Sequence, residues 1–318
     1  MHNVLPHVIK VDEAISSLQK IGRILLNGGV IAVPTDTVYG LACCGLNTQA
    51  LQRLYEIKGR DAAKPMAICL DKVSLSCLLG SCSTLPLFLT LYFDLFNYLL
   101  FALAFTLLHQ ASNIPQWCNT SHINDKLLAT LLPGPVTVIL PRRQPLDPLS
   151  PLLNPGVAEI GIRVPDHPVV RQIPEALASA FRDFPKDCLT GLHIPDGAAV
   201  AEATALPIVL TSANPSGLRS TLAPEEFQSL WPQLDLIIDG GRIIADESAD
   251  LDSGNQNASR AGSTVVNLSE CVRSPGSNLY TIVREGRVTQ ISYKLGKTIL
   301  FLNFLSEARA LSTYASFL

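Results

Sequence analysis

Residues 12 to 70 read as helix, strand, helix, strand, and that rhythm restricts the chain to folds that pack helices on a sheet. Ile15, Leu18, Ile21 and Leu25 share one helical face, Asp12 and Glu13 open the first turn, and Gly28-Gly29 supply a stop. One amphipathic helix is therefore expected over 12–27. Val30-Ile31-Ala32-Val33 is a short apolar run closed by Pro34, the pattern of a buried strand. From Thr48 to Lys58 a second helical face carries Leu51, Leu54 and Tyr55, followed by the polar Lys58-Gly59-Arg60-Asp61 turn and the apolar Met66 to Leu70. Further strands are expected at Val136 to Leu140, Ile160 to Val164, Ile208 to Leu210, Leu236 to Ile238 and Thr264 to Val266, most of them bounded by Pro or Gly. With no internal repeat and no sustained heptad, a single α/β domain fits better than two.

The 318 residues are 47% hydrophobic and only 16% charged, and most of that apolar excess lies in one run, 85–108. Asp94 is its only charge, and its length satisfies the criterion for a membrane span. A span would put Asp94 near the bilayer centre at a cost of about 3 kcal/mol. It would also divide strands that belong to one sheet. Membrane contact through 85–108 and an inserted stretch of translated non-coding sequence both stay open as readings. A net charge of −3 argues against a surface that grips nucleic acid all over, while leaving room for a local basic cleft. The eight cysteines include no Cys-x-x-Cys pair and read as reduced, buried thiols. Met1 to His7 has the character of neither a signal peptide nor a transit peptide, so a cytoplasmic address is expected.

Polar clusters stand at the predicted strand ends, where an α/β sheet presents its loops to ligand. Pro34-Thr35-Asp36-Thr37 offers two hydroxyls and a carboxylate; a self-satisfied turn is the plainer account of it. Lys58 and Arg60 flank a glycine at a helix end and could reach one polyphosphate, or could simply be solvated cations favoured by the helix dipole. Thr211-Ser212-Ala213-Asn214-Pro215-Ser216 again follows an apolar run, with a Ser or Asx turn as the alternative. Arg163 sits in an apolar strand, so its guanidinium needs either a ligand anion or an internal carboxylate. The chain has no P-loop, and its histidines show neither triad nor zinc spacing; His167 reads as a loop residue.

Taken in order, seven blocks resemble the YrdC family of threonylcarbamoyl-AMP synthases: Gly28 to Leu41, Lys58-Gly59-Arg60 with Lys64-Pro65, Leu132 to Thr137, Gly161 to His167, Thr211 to Asn214, Ile238 to Gly241, and Gly262 to Val265. The resemblance implies a single YrdC-like α/β domain over 8–292, with a twisted mixed sheet flanked by helices around a deep cationic cavity. It implies insertions near 75–112 and 184–205 and a C-terminal extension at 293–318. The implied reaction joins L-threonine, bicarbonate and ATP into threonylcarbamoyl-AMP and diphosphate, with Mg²⁺ held mainly by phosphates and water. A separate transferase then uses the product to modify the adenosine beside the tRNA anticodon.

Carried onto this chain, the family pattern makes Thr35, Arg163 and Ser263 threonine contacts, and Lys58, Arg60, Thr137, Ser212, Asn214 and Arg284 ATP contacts. Where the family has an Arg-Pro-Gly turn, this chain has Arg284-Glu285-Gly286. No catalytic nucleophile is implied, because the residues act by positioning and by neutralising charge. Read as exposed cations, Lys58 and Arg60 should matter far more for turnover than for stability. The alternative function is an RNA-binding module of the same fold without catalysis, against which the acidic pI of about 6.1 counts.

Overall fold

The computed structural model describes residues 7–59, 64–71, 114–123, 125–143, 147–183, 191–193, 203–244, 260–274 and 279–287. Among them runs a mixed ten-stranded sheet in the order β1-β8-β2-β3-β7-β4-β6-β5-β9-β10. The strands are β1 (His7–Lys10), β2 (Ile31–Val33), β3 (Gly40–Cys44), β4 (Ala67–Cys69), β5 (Val136–Pro141), β6 (Glu159–Arg163), β7 (Ile208–Ser212), β8 (Leu236–Asp239), β9 (Thr264–Asn267) and β10 (Thr281–Arg284). Every strand expected from sequence is present, and β1, β3 and β10 are additional. The run at 85–108 and the insertion and extension expected at 75–112 and 293–318 lie outside the described residues, as does 184–205 apart from 191–193 and 203–205. Among the described residues no helix is long and apolar enough to cross a membrane.

The helix expected over 12–27 is two, α1 (Val11–Ser16) and α2 (Leu18–Leu26), broken at Ser17 (φ −113°, ψ 18°). The break shifts the phase of the apolar face. Ala14 is fully buried in α1 while Ile15 is 38% exposed, whereas Ile21 and Leu25 keep their expected place in the core. α3 (Thr48–Lys58) forms as expected. The Asn47 side chain caps it by accepting from the Ala50 N–H at 2.9 Å, and Gly59 stops it in the left-handed region at φ 53°.

Two short helices follow, α4 (Ile114–Trp117) and α5 (Asp125–Leu131). The longest described helix, α6 (Pro168–Asp183), was hidden from a reading of the sequence by prolines. Pro168 stands at its first position, where no N–H is needed. Pro174 lies inside it, and its carbonyl accepts from the Leu206 N–H at 2.9 Å, which ties the helix to the chain before β7. α2 packs on α6 closely enough that a Cβ on Gly22 would lie 2.5 Å from the Ala176 carbonyl oxygen, so this contact requires glycine.

Pairing register assigns side chains to the two faces of the sheet. Ile68, Val138, Ile162, Val209 and Val266 are fully buried. They join Ile21, Leu25, Leu51, Leu54, Ile173 and Leu177 in one continuous apolar core, where each such side chain contributes about 1.5–3 kcal/mol. Alternate residues of the same strands, several of them small or polar, face a cavity.

Candidate functional site

The cavity has a volume of about 240 Å³. Its floor is the sheet face opposite the core: Gly40 of β3, Ala67 and Cys69 of β4, Thr137 and Ile139 of β5, Gly161 and Arg163 of β6, Leu210 and Ser212 of β7, and Val265 of β9. Small residues hollow this floor. Ala67 lies opposite Gly161 in the β4–β6 register, and a Cβ on Gly161 would come within 3.1 Å of Thr137 Cγ2 and 3.2 Å of Ala67 Cβ. Thr35, Val38 and Tyr39 from the β2–β3 turn, Gly262 and Ser263 before β9, and Arg284 of β10 complete the wall. Arg163 and Arg284 are charged lining residues, and no carboxylate lines the cavity among the described residues.

Within the β2–β3 turn the Thr35 hydroxyl is satisfied locally, as the plainer of the two accounts drawn from its sequence has it, while Asp36 and Thr37 take partners from outside. Thr35 Oγ1 accepts from the Thr37 and Val38 N–H groups at 3.1 and 3.2 Å and donates to the Val38 carbonyl at 2.7 Å. Thr35 nevertheless lines the cavity, so holding the turn and facing a ligand are not exclusive. Asp36 pairs with Arg163 and accepts from the Asp166 N–H at 3.1 Å. The internal carboxylate that a buried guanidinium requires is thus present. Arg163 also donates to Thr37 Oγ1 at 2.8 Å, while its Nε is buried with no partner among the described residues. One donor of a cavity-lining guanidinium is therefore uncommitted.

Tyr39 fastens the other end of the turn. Its hydroxyl donates to the Gly241 carbonyl at 2.7 Å and accepts from the Gly240 N–H at 2.9 Å. Burial pushes the phenol up to about 12, so it stays protonated across the neutral range. Beside α6, His167 is held below the ordinary imidazole value by burial, against the opposing pull of Asp36 and Asp166. Across the cavity Thr137 and Ser263 share a hydroxyl contact of 2.8 Å, and Arg284 donates to the Ser263 carbonyl at 2.8 Å.

Of the nine residues singled out from sequence, Thr35, Thr137, Arg163, Ser212, Ser263 and Arg284 converge on this cavity. Arg60 lies outside the described residues. Lys58 and Asn214 stand behind the wall. The reading of Lys58 as an exposed cation is corrected: it is 2% exposed, and its Nζ donates to the carbonyls of Ser212 and Asn214. The last turn of α3 thereby fixes the turn that follows β7. Asn214 donates to the Pro215 and Leu218 carbonyls, and its Oδ1 is buried without a partner among the described residues.

Sequence reasoning missed Arg287, whose guanidinium donates to the Asp36 and Thr37 carbonyls at 2.7 and 3.0 Å. A second basic residue three positions beyond Arg284 was its only signal. Gly286 was also passed over as a constraint. A Cβ there would sit 2.4 Å from backbone atoms of Gly262, Ser263 and Thr264, too close for any relaxation confined to side chains. Gly286→Ala is expected to displace the Ser263 wall and cost about 1–3 kcal/mol. A chemical-denaturation midpoint equal to wild type would contradict this.

Among known proteins, the Sua5/YciO/YrdC family model, described as telomere recombination, matches residues 23–80 and 101–286. A Homo sapiens protein named threonylcarbamoyl-AMP synthase is 35% identical over 81% of this chain, and the match spans 63% of the human protein's own length. A solved P. abyssi Sua5 variant superposes with a TM-score of 0.54 at 20% identity, covering 89% of this chain and 60% of that one. E. coli YciO superposes with a TM-score of 0.53 at 19% identity, covering 90% of this chain and 96% of that one. At these identities the two structures show a shared fold.

Proposed function

The chain belongs to the Sua5/YciO/YrdC family, and from that membership and its cavity we propose that it makes threonylcarbamoyl-AMP from L-threonine, bicarbonate and ATP. One observation carries the reading: residues from six of the seven family blocks, together with Arg284 of β10, line a single hollow on one sheet face. The name of the human relative states the product. Threonine's amine combines with bicarbonate, releasing water, and a carbamate oxygen then attacks the α-phosphorus of ATP with diphosphate as the leaving group.

In this reading Thr35, Arg163 and Ser263 hold threonine, with the Arg163 guanidinium as the cation for its carboxylate. Thr137, Ser212 and Arg284 meet the nucleotide. The volume of about 240 Å³ is below the ~300–1,000 Å³ usual for small-molecule sites, so the triphosphate extends past the mouth, where Arg284 is exposed. Arg60 is assigned to the same phosphates on the family pattern. Lys58 and Asn214 serve the nucleotide by holding the turn that carries Ser212. Positioning and charge neutralisation supply the rate enhancement.

The hydroxyls of the lining suit a Mg²⁺ ion that arrives on the triphosphate and keeps phosphate and water ligands. Among the described residues no cluster of three His, Cys, Asp or Glu forms a dedicated metal cage. The product would pass to a tRNA threonylcarbamoyl transferase. Five described cysteines, Cys43, Cys44, Cys69, Cys118 and Cys271, are free, which suits a reducing, cytoplasmic setting. The test is diphosphate release from ATP with threonine or bicarbonate withheld in turn. Release should fall to background in either omission; release indifferent to both refutes the reading.

A further inference from the structure

We infer that Arg287 is a positioning residue that holds the threonine side of the cavity in register with its Ser263 wall, an assignment resting on the reading above. Its Nη1 donates to the Asp36 and Thr37 carbonyls at 2.7 and 3.0 Å, and its Nη2 to the Ile244 carbonyl at 2.8 Å. Its own backbone N–H donates to the Gly262 carbonyl at 2.9 Å. One residue therefore ties together three stretches far apart in sequence: the β2–β3 turn, the segment after β8, and the strand-leading loop that carries Ser263. Two of the three supply cavity walls.

The consequence reaches the cavity through Asp36. Its carboxylate pairs with Arg163 on one side while its carbonyl is held by Arg287 on the other, so the peptide at Asp36 is fixed from both directions. Arg163 takes its place on the floor from that carboxylate and from Thr37 Oγ1, and Thr37 is the second residue whose carbonyl Arg287 holds. The planar fork of an arginine can address three carbonyls at once, whereas a lysine presents one compact cation at the end of a flexible stem. Arg284, three residues earlier, lines the cavity itself and donates to the Ser263 carbonyl and hydroxyl. The two arginines thus divide the work: Arg284 faces ligand, and Arg287 holds the frame.

The experiment compares Arg287→Ala and Arg287→Lys in the full chain by amide hydrogen exchange and by steady-state kinetics. In Arg287→Ala, exchange at the Thr37 and Val38 amides should rise roughly tenfold, the effect of losing hydrogen bonds to a charged donor, while Cys43 and Val209 in the β3–β7 pairing keep their protection. The KM for L-threonine should rise by about the same factor with a smaller change in kcat. Arg287→Lys should recover part of both. Unchanged exchange in the turn overturns the inference, and so does an acceleration spread evenly over the sheet, which marks a general stability effect. If the wild-type chain releases no threonine-dependent diphosphate, the functional reading fails, yet the exchange comparison still decides whether Arg287 holds the turn.

Discussion

Lys58→Met is expected to destabilise the protein by about 1–2 kcal/mol as well as lower its activity, because it takes their charged donor from the Asn214 carbonyl and from the Ser212 carbonyl, the latter keeping only the Asn214 N–H at 2.9 Å. Lys58 is 2% exposed, and its ammonium donates to Ser212 and Asn214. The buried Asn214 carbonyl left unsatisfied costs about 1–3 kcal/mol, partly offset by no longer burying a charge. Methionine keeps most of the side-chain volume, so the measured loss reports the hydrogen bonds more than a cavity. The turn after β7 should loosen, and the KM for ATP should rise because Ser212 faces the cavity from that turn. Activity lost at unchanged denaturation midpoint would restore Lys58 to a direct phosphate contact with no role in the frame.

The second large effect is at Arg163. Its guanidinium and the Asp36 carboxylate are 8% and 11% exposed, so Arg163→Met removes one member of a buried pair and strands the other. Such a break costs about 3–5 kcal/mol, most of it from the carboxylate left without a counter-charge. Asp36→Asn in the same chain should return much of that stability, since an amide needs no cation. Activity should not return with it. A substrate carboxylate that has lost its guanidinium anchor is misplaced, and displacement of about 1 Å is enough for roughly 100-fold. Recovery of stability and turnover together in the double variant would make the pair purely structural.

These two residues show where sequence was informative and where it was not. Arg163 was legible because a guanidinium in an apolar strand demands a partner, and the Asp36 carboxylate is there. Lys58 was misread because a cation in the last turn of a helix is ordinarily solvated, and only the packing of α3 on β3, next to β7 in the sheet, reveals the carbonyls it reaches. Strands rich in Val and Ile stood out, whereas Gly40-Leu41-Ala42-Cys43-Cys44 lacks β-branched residues, so β3 and its hairpin with β2 went unread. The cavity floor depends on register: Thr137 opposite Val265 and Gly40 opposite Ser212 bring the small and polar residues to one face. No single strand's sequence encodes that pairing. Arg287 was missed for a similar reason, since its partners are backbone carbonyls, which leave no trace in side-chain pattern.

The central claim is that this cavity joins bicarbonate carbon to threonine and carries the product to an adenylate. The most direct measurement supplies ¹³C-bicarbonate, L-threonine and ATP to the purified chain and follows the label by mass spectrometry. The account predicts labelled carbon in a threonine-containing adenylate, formed only when all three substrates are present and diminished by Arg163→Met. An adenylate that carries no label from bicarbonate, or that forms without threonine, would contradict it.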